Sequence, residues 1–336
     1  MASLIPALSR LLESIWYRGH WLKWVLLPLS PVYAAAAAAR RTNDGRKRVD
    51  FEVPVIVVGN LTVGGTGKTP LVIWLVARLR ERGYRPGIVC SGYRGQAKSW
   101  PQRVTAESEP EEVGDEAVLL ALRTQCPVVA GPDRVAAVEK LLAGGTVDVV
   151  VSDDGLQHYR LGRTVEIAVI DGIRGLGNEL CLPAGPLREP AARLREVDAI
   201  VVNGGKWGHA GVFRAEVFAT GVRQTTTGTM KTLKEFEDKQ VHAVAAIGHP
   251  ERFFTLLENH GLVVEPHALP DHAPLRVEDL QFEDDDPVFI TEKDEVKCKA
   301  IAADNLWCVV VDMRLNQPDT ERLLRTLGRL LDRAAA

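Results

Sequence analysis

Short aliphatic runs alternate with longer helix-period segments along most of this 336-residue chain. The run VPVIVVG at 53–59 has no charged or amide position on either face. That is the pattern of a strand buried on both sides, as in a parallel sheet. Helical spacing follows at 70–82 and Gly83 closes it. Further strands are expected at 86–90, 128–130, 147–151, 166–170 and 199–202, with helices at 116–123 and 134–142 between them. The β-α-β order predicts an α/β fold with a mostly parallel sheet flanked by helices. The second half repeats the style, with strands at 241–247, 262–265, 287–291 and 306–311 and helices at 251–259 and 320–332. Gly204, Gly205 and the polar stretch 224–228 interrupt the pattern, so a boundary is expected near 205–235.

The first 50 residues follow a different rule. Leu4, Leu8, Leu11, Leu12 and Ile15 recur at helical spacing, while Arg10, Ser14, Tyr17 and Arg18 fall on another face. Trp16, Tyr17, Trp21 and Trp24 are amphipathic aromatics suited to a lipid headgroup layer. The longest uncharged run, 24–39, contains Pro28 and Pro31 and is shorter than the roughly 20 residues a spanning helix needs. A cleavable signal is a poor fit, because charges are spread through the apolar face. Two readings stay open: an interfacial amphipathic helix on a membrane surface, or a helix packed on the protein's own body.

Charge sharpens the contrast. The leader carries a net +5 and the remainder −8, a basic arm on an acidic body that suits an anionic surface such as a membrane. The total of −3 gives no reason to expect nucleic acid, and no obligate protein partner is evident. Cys90, Cys126, Cys181, Cys298 and Cys308 form no Cys-x-x-Cys pair, which argues against a disulfide framework or a cysteine zinc site and favours a reducing cytoplasm.

The clearest chemistry lies after the first strand. Thr62, Val63, Gly64, Gly65, Thr66, Gly67, Lys68 and Thr69 run from strand to helix. The ending Gly67-Lys68-Thr69 matches the G-x-x-x-x-G-K-[ST] phosphate loop, with Thr62 where the first glycine belongs. The glycines let backbone N–H groups turn toward phosphate oxygens, and the helix N-terminus adds partial positive charge. Lys68 can reach the β- and γ-phosphates of ATP, and Thr69 can ligate Mg²⁺. Such a loop needs a carboxylate at the end of a neighbouring strand, and Asp153 and Asp154 follow the run VDVVV. A pair of loop-capping acids is the alternative. Thr291-Glu292-Lys293-Asp294 has glutamate where a guanine-binding motif needs lysine, so guanine specificity is unsupported.

The loop block GNLTVGGTGKTP is followed in order by SGYRG, VGDEA, SDDGLQH, PAGPLREP, IGHPERFF, PDH and FITEKDEVK. Together these resemble the tetraacyldisaccharide 4′-kinase family over most of the chain. The resemblance implies a phosphate-loop fold with three parts. Residues 1–50 would be a membrane-associated helix and basic linker, 51–215 a nucleotide-binding domain, and 216–336 a smaller C-terminal α/β domain closing the cleft. It implies transfer of the γ-phosphoryl of ATP to the 4′-hydroxyl of an acylated glucosamine disaccharide 1-phosphate, a step of lipid A synthesis. The expected place is the cytoplasmic face of a bacterial inner membrane. An acylated acceptor also gives the apolar leader a purpose.

By the same resemblance, Asp115 is the base that takes the hydroxyl proton and His272 orients it; an N-cap and a loop histidine are the plainer alternatives. Arg188 and Glu189 are expected to contact the sugar or its 1-phosphate, or else to form a local ion pair. Gln157 and His158 are expected to line the same cleft, His249 to cap or pack, and Lys293 and Asp294 to shape the fold. The competing reading is a P-loop ATPase of the metallochaperone or partitioning type, which would need neither Asp115, His272 nor the aromatic leader.

Overall fold

A computed structural model describes residues 4–208, 210–299, 301 and 303–335. The leader is three helices rather than one: α1 (Leu4–Tyr17), α2 (Leu22–Leu26) and α3 (Leu29–Gly45). The side chains of Leu4 and Arg10, part of the expected helical pattern, lie outside the described residues. The prolines do not stop α3, because Pro28 stands at its N-cap and Pro31 in its first turn, where no helical N–H is lost. The alanine run 34–39 is therefore helix.

The main body runs β1 (Val55–Gly59), α4 (Lys68–Glu81), β2 (Pro86–Cys90), β3 (Gln102–Val104), α5 (Pro110–Val113), α6 (Asp115–Thr124), β4 (Val128–Ala130), α7 (Arg134–Leu142), β5 (Val149–Asp153), β6 (Val165–Asp171) and β7 (Ala199–Asn203). The remaining elements are β8 (Phe213–Gln224), β9 (Met230–Lys231), β10 (Gln240–Ala245), α8 (Pro250–Glu258), β11 (Val263–Ala268), β12 (Val288–Thr291), α9 (Glu292–Glu295), β13 (Leu306–Leu315) and α10 (Gln317–Ala335).

All of the strands join one 13-stranded sheet, ordered β11-β10-β12-β13-β8-β7-β6-β1-β5-β2-β4-β3, with β9 paired to β8. Strand β1 lies between β5 and β6, parallel to both, and every residue of β1 is buried. Its side chains divide between two cores, Ile56 and Val58 on one face and Val55 and Val57 on the other. This is the physical basis of its unbroken apolar run. The parallel blocks on either side meet at an antiparallel pair, β8 with β13, whose register shifts between Val310 and Val311. A bulge of this kind bends the ribbon.

The stretch 205–235, expected to be an interruption, contains the 12-residue strand β8. The expected boundary at 215/216 falls inside that strand, and the sheet continues through it. Buried side chains cluster likewise across the sequence. Met313 and Leu315 of β13, with Leu323, Leu324, Leu327 and Leu331 of α10, share a core with Ile56, Leu71 and Leu75 of the phosphate-loop half.

The leader is docked on one side and bare on the other. Ile15 is buried, Trp16 Nε1 donates to the Pro183 carbonyl at 2.9 Å, and Ser30 Oγ donates to the Cys181 carbonyl at 2.7 Å. Glu13 pairs with Arg174, whose guanidinium lies over the Tyr17 ring. Trp21, Trp24, Val25, Leu29 and Val32 are each more than half exposed. One face of the leader therefore packs on the protein's own body, and the other is apolar and exposed. Among the described residues no helix is long and apolar enough to cross a membrane.

Candidate active site

The loop after β1 is held open by its own polar groups. Asn60, fully buried, donates through Nδ2 to the carbonyls of Thr62 at 2.8 Å and Gly64 at 3.2 Å. Its Oδ1 accepts from Lys68 Nζ at 3.2 Å. Thr62 replaces the usual glycine because it forms a β-bridge with Leu187, and Val63 N donates to the Pro186 carbonyl at 2.9 Å. The loop's entry is therefore extended backbone, which needs no glycine. Gly67 does need to be one: its φ is 88°, and a Cβ there would stand 2.3 Å from Asn203 Nδ2. Asn203 closes the arrangement by donating to the Thr66 carbonyl at 3.2 Å. Helix α4 opens at Lys68 with no side-chain cap, so its first N–H groups remain free for an anion.

The aspartates after the VDVVV run fall in different environments. Strand β5 extends through Asp153, which is buried with Oδ1 lacking any partner. Burial, with the charge of Glu116, pushes its carboxyl up to about 7. Asp154 lies 3.5 Å from Lys68 Nζ and 3.3 Å from Arg188 Nη1. Burial opposes its charge too, but Lys68 and Arg188 outweigh that and hold it at about 2.

Asp115 and His272, 157 residues apart in the chain, are brought together. Asp115 is the first residue of α6 and is nearly buried; Gly114, not Asp115, is the N-cap. The Asp115 carboxylate lies 2.9 Å from His272 Nδ1 and accepts from the Glu116 N–H at 2.8 Å. On the other side of the ring, Lys293 Nζ lies 3.2 Å from His272 Nε2 and 3.0 Å from Glu116 Oε1. An ammonium can only donate, so Nε2 accepts and Nδ1 carries the proton toward Asp115. Burial works against the charge on Asp115, but the His272 hydrogen bond and the Lys293 charge hold its carboxyl below the usual value.

Arg188 Nη1 also lies 3.3 Å from Gln157 Oε1, and Gln157 Nε2 donates to the Asn60 carbonyl at 3.2 Å and to Glu189 at 3.3 Å. Glu189 is buried and accepts a hydrogen bond from the Tyr159 hydroxyl. Burial, together with the Arg134 charge, lowers the His158 pKa to about 4, so this imidazole is neutral near pH 7. His249 is the N-cap residue of α8 without a side-chain cap bond, and its ring lies 2.5 Å from Arg174 Nη1. Thr291 caps α9 by accepting from the Asp294 N–H, and the Asp294 carboxylate accepts from the Thr291 hydroxyl and pairs with Lys297.

A cleft of about 710 Å³ opens among these groups, and Asp115 and Asp153 are not among the residues that line it. Lys68, Asp154, Arg188, His272 and Lys293 line it, together with Tyr33, Ala36 and Arg40 of α3. Sequence reasoning missed Asn60, Asn203 and Arg134. Arg134 is 2% exposed and donates to the Asp153 carbonyl at 3.2 Å. An asparagine inside the glycine-rich block was the one available signal, since a loop otherwise built for flexibility has little use for a buried amide.

The family model for tetraacyldisaccharide-1-P 4′-kinase matches residues 22–329. A tetraacyldisaccharide 4′-kinase of Nitrosococcus oceani is 50% identical over 310 residues, covering 91% of each chain. One from Alkalilimnicola ehrlichii is 48% identical, covering 95% of this chain and 97% of its own. Among solved structures, LpxK from Aquifex aeolicus in complex with ATP superposes with a TM-score of 0.78 at 28% identity, covering 92% of this chain and 99% of that one.

Proposed function

The chain belongs to the tetraacyldisaccharide 4′-kinase family, ATP-dependent kinases of lipid A synthesis, and on that premise we propose how its residues divide the work. The carrying observation is that Lys68 and His272, the partner of Asp115, line one cleft together with Tyr33, Ala36 and Arg40 of the leader. A metallochaperone or partitioning ATPase, the competing reading, gives no account of that pair.

Phosphoryl transfer asks for positioning and for neutralised charge. The loop 62–69 holds the phosphates of ATP, and Lys68 leaves Asn60 and Asp154 to meet the transferring group. The hollow of about 470 Å³ lined by Gly172, Gly205 and Trp207 lies beside Asn203, and the base lodges there. The orphaned oxygen of Asp153 fits a divalent cation, because an unpaired buried carboxylate oxygen is what a hard oxygen-seeking ion relieves. Asp153 and Thr69 would hold Mg²⁺, with Asp154 facing it through the loop lysine. When bound, Mg²⁺ supplies positive charge to the phosphate oxygens.

Asp115 accepts the proton of the sugar 4′-hydroxyl. His272 cannot be that base, since its ring proton faces Asp115 and its lone pair faces Lys293. It orients the carboxylate, and Lys293 fixes its tautomer. Arg188 and Arg40 are the cations available to the acceptor's 1-phosphate. Gln157 accepts from Arg188 and donates to Glu189, so these two residues brace Arg188 where they line the cleft.

Helix α3 belongs both to the exposed apolar leader and to the cleft wall. On this reading the acyl chains remain in or near the bilayer while the headgroup enters the cleft, and the protein works at the cytoplasmic face of the inner membrane. Exchanging Trp24 and Val25 together for serine is expected to weaken partition onto anionic vesicles about tenfold. Unchanged sedimentation with vesicles would retire this membrane contact.

The overall reading is tested by incubating the protein with γ-labelled ATP, Mg²⁺ and tetraacyldisaccharide 1-phosphate in mild detergent. Label should move to the lipid. Label found only in inorganic phosphate overturns the assignment.

Asp153 gives a separate expectation. Its folded pKa, about 7, lies above the ordinary carboxylate value, so the folded chain binds a proton the unfolded chain has lost. Ionised Asp153 costs stability above pH 7, and the cost fades as pH falls toward 4. Asp153→Asn is therefore expected to raise the thermal midpoint at pH 8 by about 4 °C or more while removing kinase activity, and to change it little at pH 4. An equal shift at both pH values would contradict this.

A further inference from the structure

The geometry points to a second metal site, for a transition metal of the zinc type, at the opposite part of the sheet from the phosphate loop. His242 on β10 and Glu265 and His267 on β11 build it. The two strands are parallel neighbours, with His242 opposite Glu265 and Val244 opposite His267. Residues 265 and 267 point to the same face, because side chains alternate along a strand. His242 Nδ1 lies 3.0 Å from His267 Nε2 and 3.7 Å from Glu265 Oε2, and His267 Nε2 lies 3.8 Å from Glu265 Oε1. A tetrahedral ion with ligands at about 2.0–2.2 Å sets neighbouring donor atoms about 3.3–3.6 Å apart. The three observed separations bracket that range, so small side-chain movements complete one face of a tetrahedron.

The surroundings prepare His242 for this role. Its ring is 3% exposed and stacks on Phe282 at 3.7 Å with an interplanar angle of 9°. Its Nε2 lies 3.1 Å from Asp284 Oδ1, and a carboxylate there takes the N–H. The Nδ1 lone pair is then fixed toward His267 and Glu265. A ligating imidazole commonly hands its other N–H to a carboxylate, which sets the tautomer and raises the basicity of the donor nitrogen. Without metal, the Nε2 proton of His267 fills the gap between the rings. Metal binding moves that proton to Nδ1 of the same ring, leaving both imidazoles neutral. The other side of His242 offers one imidazole nitrogen with Asp284 and Asp286, a harder donor set of the same burial, less suited to a zinc-type ion.

Strand β11 is the sheet's edge, and the chain reaches His272 five residues beyond His267. A metal tying β11 to β10 would anchor the strand that delivers His272 to Asp115. The site is thus a staple for the strand and has no part in phosphoryl transfer.

The test uses the full chain, stripped with a chelator and then titrated with Co²⁺ in excess Mg²⁺, which fills the oxygen-rich sites. One equivalent of Co²⁺ should give the intense visible absorption of tetrahedral cobalt, and Zn²⁺ should displace it. His267→Gln should abolish the signal, Glu265→Gln should weaken it, and Asp284→Asn should lower affinity about 10–100-fold. Zn²⁺ should raise the thermal midpoint of the parent chain and not that of His267→Gln. Absence of the absorption in the parent chain overturns the site. So does binding that survives His267→Gln and Glu265→Gln but is lost in Asp286→Asn, which would put the ion on the other side of the ring. Glu265 is about half exposed, so its variant keeps the test valid if His267→Gln fails to fold. None of these readouts depends on kinase activity.

Discussion

Asp115→Asn is expected to lower kcat by about 10²–10⁴-fold, the usual contribution of a positioned proton acceptor, with KM for ATP nearly unchanged. The amide keeps the shape of the carboxylate and can still meet His272, so binding of nucleotide at the loop should survive. Steady-state kinetics with the lipid acceptor decides it. A drop in affinity for ATP with kcat intact would remove Asp115 from the chemistry. The pH profile carries a second signature. Burial opposes ionisation of Asp115, yet the His272 hydrogen bond and Lys293 hold its carboxyl below the ordinary range. The working form is the carboxylate, so kcat/KM should fall only as pH drops through that depressed value. The same depression stabilises the fold above the unfolded-chain pKa, and that contribution disappears as pH falls through the folded value. The variant should therefore show a shallower loss of stability in acid.

Lys68→Ala is expected to lower kcat/KM by about 10²–10³-fold, the cost of removing one preorganised charge at a developing anion. Isothermal titration with ATP separates two contributions, because Lys68 also holds Asn60 at 3.2 Å and Asp154 at 3.5 Å. Removing it leaves Asp154 with Arg188 as its remaining near cation, so the Asp154 carboxyl should titrate higher in the variant. Lys68→Arg keeps the charge but not the compact reach, and should restore ATP binding further than it restores turnover. Unaltered kcat/KM in Lys68→Ala would remove the loop from the reaction altogether.

The parallel strands were legible because their burial on both faces leaves a continuous apolar run. The segments expected at 86–90, 128–130 and 134–142 coincide with β2, β4 and α7. Strand β8 was not legible. It reads FRAEVFATGVRQ, half-exposed along most of its length, and its partner β13 lies about 90 residues later in the chain. Alternation broken by a bulge looks like loop. The phosphate loop could be read residue by residue, since its chemistry depends on contiguous backbone. The pairing of Asp115 with His272, and of both with Lys293, could not be read from spacing, because the sheet's topology makes it. Only the family resemblance brought those two residues together. The environments of Asp153 and Asp154 were equally hidden: one strand residue of difference decides which carboxylate is buried without a partner and which faces two cations.

The last helix has a consequence for how the molecule is made. Leu323, Leu324, Leu327 and Leu331 of α10 share a core with Ile56 and Leu71, on either side of the phosphate loop. During synthesis the ribosome releases that loop and its strands long before the helix that covers them. The nucleotide half must wait, with one wall of its interior missing, until α10 emerges. Maturation of the nucleotide site is thus tied to the arrival of α10, and a nonsense codon upstream of that helix yields a chain with the apolar side chains it covers laid bare, fit for a protease rather than for ATP.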